Sequence, residues 1–276
     1  MSADGAASSR AEAPGEGRIE FRNVDFDFGI SDAPVLRDLS FEVGSGEFFV
    51  LLGPSGCGKS TALNLIAGFE SPTSGAVLAG GRRVQGAGRD RAVIFQDSDS
   101  IYGWLTVLDN VAFALRVVGV GEKERRSRAA AALKLVGLQG HEEKYPGQLS
   151  GGMKQRTQLA RALVLDSPIL LMDEPFAALD AQTRSILQDE MVQLSIRMRR
   201  TVLFITHDIS EAILLGDRVG IMRAGPASAI KEIIEIRLPR PRRRSGVDFG
   251  ELYERIAQSI SDEVHSALRR EDSLLE

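Results

Sequence analysis

The sequence predicts an α/β fold: a mostly parallel core sheet with an antiparallel β subdomain and an inserted α-helical subdomain. Three observations carry this. Short runs that are apolar on both faces recur along the chain, as do the strands of a sheet covered on both sides. Helical stretches lie between several of them, the alternation typical of parallel α/β folds. Strand signals vanish between Gln96 and Ser150, where helical ones dominate.

Taken in order, Met1 to Gly17 is rich in Ala, Ser, Gly and Glu, lacks the apolar core of a signal peptide and reads as a disordered tail. Ile19 to Val43 alternates apolar and polar residues, the pattern of an antiparallel sheet at one edge. Phe48 to Leu52 is the first strong buried strand, followed by Ala92 to Phe95, Ile169 to Met172, Val202 to Ile205 and Val219 to Met222. Helices are expected over Ser60 to Ala67, Arg125 to Val136, Gly152 to Leu165 and Gln182 to Met198. Arg237 to Arg244 is a basic, proline-broken stretch that reads as a solvated connector. Phe249, Leu252, Ile256, Ile260, Val264 and Leu268 then recur at helical spacing. That stripe predicts an amphipathic terminal helix packed on its own protein, with a partner interface as the alternative. The expected division is a tail over 1–17, a main domain over 18–236 with its helical subdomain near 97–160, and a linker plus helix over 237–276.

With 276 residues, 43% of them apolar, the chain can bury a real core. The net charge of −4 argues against a surface built to grip nucleic acid. One cysteine, Cys57, rules out an intrachain disulfide and fits a reducing compartment. No apolar run approaches the roughly 20 residues of a membrane-spanning helix.

Gly53-Pro54-Ser55-Gly56-Cys57-Gly58-Lys59-Ser60-Thr61 follows the first strong strand and opens a helix. It matches G-x-x-x-x-G-K-[ST], a phosphate-binding loop. The glycines let backbone amides close on phosphate oxygens, and the helix start adds its positive end. Lys59 reaches the β- and γ-phosphates, and the Ser60 hydroxyl serves Mg²⁺. Ile169 to Pro175 is an apolar strand ending in two acids. Asp173 is placed to hold Mg²⁺ and Glu174 to accept a proton from attacking water. Leu149-Ser150-Gly151-Gly152-Met153-Lys154-Gln155-Arg156 precedes a helix; a serine, bare amides and a helix N-terminus together form an anion site.

In this combination the chain resembles the ABC ATPase family, with its phosphate-loop NTPase (RecA-like) core, from Ile19 to about Arg223. Ser150-Gly151-Gly152 looks like that family's signature motif. Phe95-Gln96 resembles the loop whose glutamine senses Mg²⁺ and water. Ala178-Leu179-Asp180 resembles the loop that touches the opposite subunit, and Thr206-His207-Asp208 the switch histidine at the γ-phosphate. Phe28 aligns with the aromatic residue that stacks on adenine, with Phe26 as the alternative.

The resemblance implies an ATPase that binds ATP and Mg²⁺ in a head-to-tail homodimer. Lys59 and Glu174 of one copy would face Ser150 and Gly152 of the other. Trp104 to Phe113 and Leu238-Pro-Arg-Pro-Arg242 are similar to the nitrate, sulfonate and taurine importer group. That implies an integral membrane permease, a solute-binding protein, a peripheral place on the cytoplasmic face of the plasma (inner) membrane, and no nucleic acid. Ile101-Tyr102-Gly103-Trp104 departs from the Leu-Pro-Trp usual there, which bears on the partner and not on catalysis.

Overall fold

The computed structural model describes residues 17–29, 33–95, 100–177, 179–198 and 200–272. Two sheets organise it. The first is four-stranded and antiparallel in the order β2-β1-β4-β5, from β1 (Ile19–Phe26), β2 (Leu36–Val43), β4 (Ser74–Ala79) and β5 (Arg82–Arg83). The second runs β10-β9-β3-β8-β7-β6, from β3 (Phe48–Leu52), β6 (Arg91–Ile94), β7 (Ile169–Asp173), β8 (Thr201–Thr206), β9 (Arg218–Met222) and β10 (Ile230–Glu235). Its strands are parallel except β10, which pairs antiparallel with β9 at the edge.

The double-sided burial expected of the apolar runs is what the packing uses. Phe48, Val50 and Leu52 join one core; Phe49 and Leu51, pointing the other way, join a second. Helix α1 (Lys59–Ala67) fills the space between the sheets with Ala62, Leu63, Leu65 and Ile66. A ladder of rings ties the sheets together, Phe21 on Phe41 at 4.5 Å and Phe41 on Phe49 at 5.4 Å. Across the other face lie α2 (Val107–Val117), α3 (Glu122–Leu135), α4 (Gly151–Leu163), α5 (Ala181–Met198) and α6 (Ile209–Leu215). Thr106 caps α2 by accepting the Asp109 amide, so the helical region starts on a side-chain cap.

Several expectations shift. The edge sheet has two strands beyond Ile19–Val43, because β4 lies past α1 and pairs with β1. Strand β10 closes the parallel sheet, and a register shift near its start breaks the alternation that would have announced it. Strand β6 stops at Ile94, leaving Phe95 exposed and stacked on Phe69.

The largest correction concerns the basic stretch, which is not a solvated connector throughout. Arg242 donates to the carbonyls of Leu238, Ile236, Ile213, Leu214 and Gly216, and Arg240 to those of Leu215 and to Asp217. Burial, then the charge of Arg240, brings Arg242 down to about 10. Arg237 does face water. The terminal helix α7 (Val247–Asp272) packs inward through Phe249 and Ile256, with Leu252 and Ile260 partly covered. Val264 is exposed, and the side chain of Leu268 lies outside the described residues, as do residues 1–16 of the expected tail.

Candidate functional site

Three parallel strands deliver the chemistry to one edge. Strand β3 runs into Gly53 and the glycine-rich turn, β7 ends at Asp173, and β8 ends at Thr206. The turn needs glycine at Gly58, which has φ +91° and where a Cβ would stand 2.7 Å from Leu36 Cδ2. Lys59, almost fully buried at the first position of α1, donates from Nζ to the carbonyls of Gly53 (2.9 Å) and Pro54 (2.8 Å). Cys57 is buried beneath the turn, and burial pushes its thiol pKa up.

Ser60, at the second position of α1, lies close enough to Asp173 to favour its charged form. Burial raises Asp173, and the charge of Glu174 adds to that, while Ser60 and Lys59 oppose it. The next residue turns sharply. Glu174 has φ +43°, a left-handed conformation uncommon for a side chain of this size. Its amide donates to Ile205 (3.0 Å), pinning the end of β7 to β8. That bend brings Glu174 Oε2 to 3.1 Å from Nδ1 of His207, whose ring is otherwise mostly in solvent. The structure thus brings Lys59, Ser60, Asp173, Glu174 and His207 together, with Pro54, Ser55, Gly56 and Thr61 in the same turn and helix start.

It holds the rest apart. Ser150 caps α4, accepting the Met153 amide at 3.3 Å, and is exposed with Gly151. Gly152 packs so closely on α5 that a Cβ would meet Thr183 Cγ2 at 2.6 Å. Among the described residues no hydrogen bond joins Ser150–Gly152 to the glycine-rich turn. Asp180, also exposed, caps α5 by accepting the amides of Gln182 and Thr183, and those amides lower its pKa. Phe26 is buried in the core, whereas Phe28 is half exposed and meets it edge-on at 4.8 Å. Gln96 and Ala178 lie outside the described residues.

Sequence reasoning passed over Glu211. It is the third helical residue after the Asp208 cap, where a capping-box acid would bond back to the cap amide. Instead the Asp208 amide donates to Thr206 Oγ1 (3.0 Å), whose hydroxyl donates to Glu211 (2.6 Å). The D-x-x-E spacing after the histidine was the available signal.

The ABC transporter family profile matches residues 36–177. An ABC transporter ATP-binding protein of Methanocaldococcus jannaschii is 46% identical over 91% of this chain and 94% of its own. The nitrate import ATP-binding protein NrtD of Synechococcus elongatus is 41% identical over 96% of this chain and 97% of its own. Among solved structures, the dimeric post-hydrolysis state of the ATP-binding cassette MJ0796 bound to ADP and Pi superposes with a TM-score of 0.70. It is 30% identical over 79% of this chain and 99% of that one. The chain belongs to the ABC transporter family, in which it is the subunit that binds and hydrolyses ATP.

Proposed function

We propose that this subunit drives import of a small anion, that two copies hold Mg²⁺-ATP between them, and that Glu174 takes the proton from the attacking water. The contact between Glu174 and His207 at 3.1 Å, beside Lys59 and Asp173, carries the reading. A carboxylate at the end of a strand, next to a histidine and a phosphate loop, is placed to act as a base on water attacking the γ-phosphate.

Each other residue has its part. The amides of Ser55 to Ser60 cradle the phosphates, and Lys59 exchanges the Gly53 and Pro54 carbonyls for phosphate oxygens. His207 and Gln96 contact the γ-phosphate and the water. Phe28, the exposed ring of its pair, stacks on adenine. Ser150, Gly151 and Gly152 of the second copy, at an uncovered helix N-terminus, meet the same phosphates from the far side, and Asp180 borders the dimer interface. The residues suit Mg²⁺, which favours hard oxygen donors and keeps several waters. A serine hydroxyl beside one carboxylate fits that donor set. Among the described residues no cluster of three or more acidic, histidine or cysteine side chains suggests another metal site. Bound there, Mg²⁺ would neutralise charge developing on the phosphate oxygens.

Among the described residues no helix is long and apolar enough to cross a membrane; the likeness to an import ATP-binding protein supports a permease partner. A cleft of about 690 Å³ lined by Phe69, Phe95, Tyr102, Phe113, Val117 and Arg161 suits a cytoplasmic helix of that permease. Trp104, exposed beside Tyr102, extends it. The subunit then sits peripherally on the cytoplasmic face of the plasma membrane. Residues 18–236 form the ATPase domain, with the helical lobe over about 97–160 and the tail over 237–276. NrtD is named for nitrate import, which supports an inorganic anion as the solute; a solute-binding protein would deliver it to the permease.

The test is co-purification with the permease and ATP-driven uptake in vesicles of nitrate, bicarbonate and small sulfonates. Uptake of one of them that Glu174→Gln abolishes is the expected result. Full ATP turnover without uptake of any sinks the importer reading.

A further inference from the structure

We propose that Glu211 is a positioning residue for His207, and that the C-terminal segment Arg240–Arg244 holds it to that role. The proposal rests on the reading of His207 given above. The imidazole has little around it besides Glu174, so its position depends on its backbone. That backbone is bracketed. Thr206 Oγ1 accepts the Asp208 amide across the histidine at 3.0 Å and passes its own hydroxyl hydrogen to Glu211 Oε2 at 2.6 Å. The second carboxylate oxygen accepts from Gln188 Nε2 at 2.9 Å, and Gln188 Oε1 accepts from Arg244 at 3.1 Å. Thr206, Gln188 and Glu211 are all at most 5% exposed.

Every donor and acceptor in this line is oriented consistently, from the Arg244 guanidinium through the amide to the carboxylate. A buried carboxylate is costly unless it is hydrogen-bonded, so this one holds its two donors firmly in place. Arg184 lies along the same small pocket, which also borders Glu174, His207 and Asp208.

The tail also grips the other end of the same helix. α6 is seven residues long, too short to hold its shape alone. Its last carbonyls, at Ile213, Leu214 and Leu215, and that of Gly216 beyond it are taken by Arg242 and Arg240. Cations suit a helix C-terminus, and forked donors satisfy carbonyls that have no intrahelical partner. The tail thus reaches both ends of the helix whose cap, Asp208, directly follows His207. A displacement of the histidine by about 1 Å is enough to cost on the order of 10²-fold in rate.

The experiment measures steady-state phosphate release and ATP affinity on the full chain. It compares Glu211→Ala, Glu211→Gln and Arg244→Ala, each made alone and together with His207→Ala. Glu211→Ala is expected to lower kcat by roughly 10- to 100-fold with ATP affinity nearly unchanged, the split of a group acting on the transition state. Glu211→Gln keeps the shape and one acceptor and restores most of the rate. Arg244→Ala gives a smaller loss. In the His207→Ala background none of the three costs anything further. An equal loss in both backgrounds overturns the proposal, since a merely structural residue behaves that way. Full turnover in all three single variants overturns it too, while impaired His207→Ala then leaves the site assignment standing. Full turnover in His207→Ala sinks both together. Should Glu211→Ala fail to fold, Glu211→Gln and the surface variant Arg244→Ala answer the question alone.

Discussion

Glu174→Gln isolates the chemistry from everything else at the site. The amide has the size of the carboxylate and reaches His207 Nδ1 as closely, so the 3.1 Å contact survives. The bond from the residue's own amide to Ile205 involves only backbone and is untouched. The left-handed turn is no harder for glutamine than for glutamate. Only the ability to accept a proton is lost. Removing a general base costs typically 10²- to 10⁴-fold. At 1.36 kcal/mol per decade that is about 3–5 kcal/mol on the barrier. Turnover should therefore fall by that factor while ATP affinity and melting temperature stay near those of the parent. If two copies close on ATP as proposed and hydrolysis reopens them, the closed dimer should accumulate with ATP. Phosphate release, ATP titration and light scattering read the three quantities. Turnover within threefold of the parent would refute the base assignment. A tenfold loss of ATP affinity would place the carboxylate in ground-state binding instead.

Lys59→Ala removes a charged donor from the phosphates; at about 1.5–3 kcal/mol for such a bond, ATP affinity drops roughly 10- to 100-fold. Calorimetry giving equal affinity would contradict that role. Phe28→Ala should weaken ATP binding several-fold at little cost in stability, since stacking adds about 0.5–1.5 kcal/mol beyond burial. Phe26→Ala, emptying a core position, should lose about 3–5 kcal/mol of folding stability. The reverse pattern would exchange the two rings. Asp173 has its pKa raised from 3.8, chiefly by burial. The folded protein therefore binds that proton more tightly than the unfolded chain does. Its contribution to stability is fully present below 3.8 and is lost as pH rises through the folded value. Asp173→Asn escapes the loss, so without nucleotide its melting temperature should exceed the parent's by a margin that grows with pH and then levels off. Mg²⁺-dependent turnover should collapse in the same variant. Equal melting temperatures at about pH 8 would refute the argument.

What the sequence made legible follows from burial. Strands β3, β7 and β8 are covered on both faces, so their continuous apolar runs stand out, and the motifs at their ends could be placed at once. β4 is a half-exposed run of small residues, and β5 is two exposed arginines. Neither has a periodicity to read. Phe26 and Phe28 share a parity and differ only in that β1 ends between them, a boundary that alternation does not mark. The arginine run misled for another reason. Charge says that a side chain wants polar company, and here backbone carbonyls at the end of α6 supply it. Glu211 was hidden because its helix start satisfies a local pattern, while its actual partners are Thr206, before the cap, and Gln188, 23 residues away on α5.

The geometry of the site is settled by the core more than by the site. β3 is in register with β8 so that Leu52 lies beside Thr206, and β8 with β7 so that Ile205 lies beside Asp173. The glycine-rich turn, Glu174 and His207 are simply the next residues out of that row. Neighbouring strands are about 4.8 Å apart, so the three exits span roughly 10 Å. Slipping any of these strands by one residue would exchange its side chains between the two differently shaped cores and move its catalytic residue by about 3.3 Å. Burial opposes the slip in both cores at once, since Phe48, Val50 and Leu52 anchor one face and Phe49 and Leu51 the other. The burial on both faces that made the strands readable therefore also aligns lysine, carboxylate and histidine. Where that alignment stops, one residue past the sheet at His207, local hydrogen bonds must take over, and the Thr206–Glu211 bracket stands at that position.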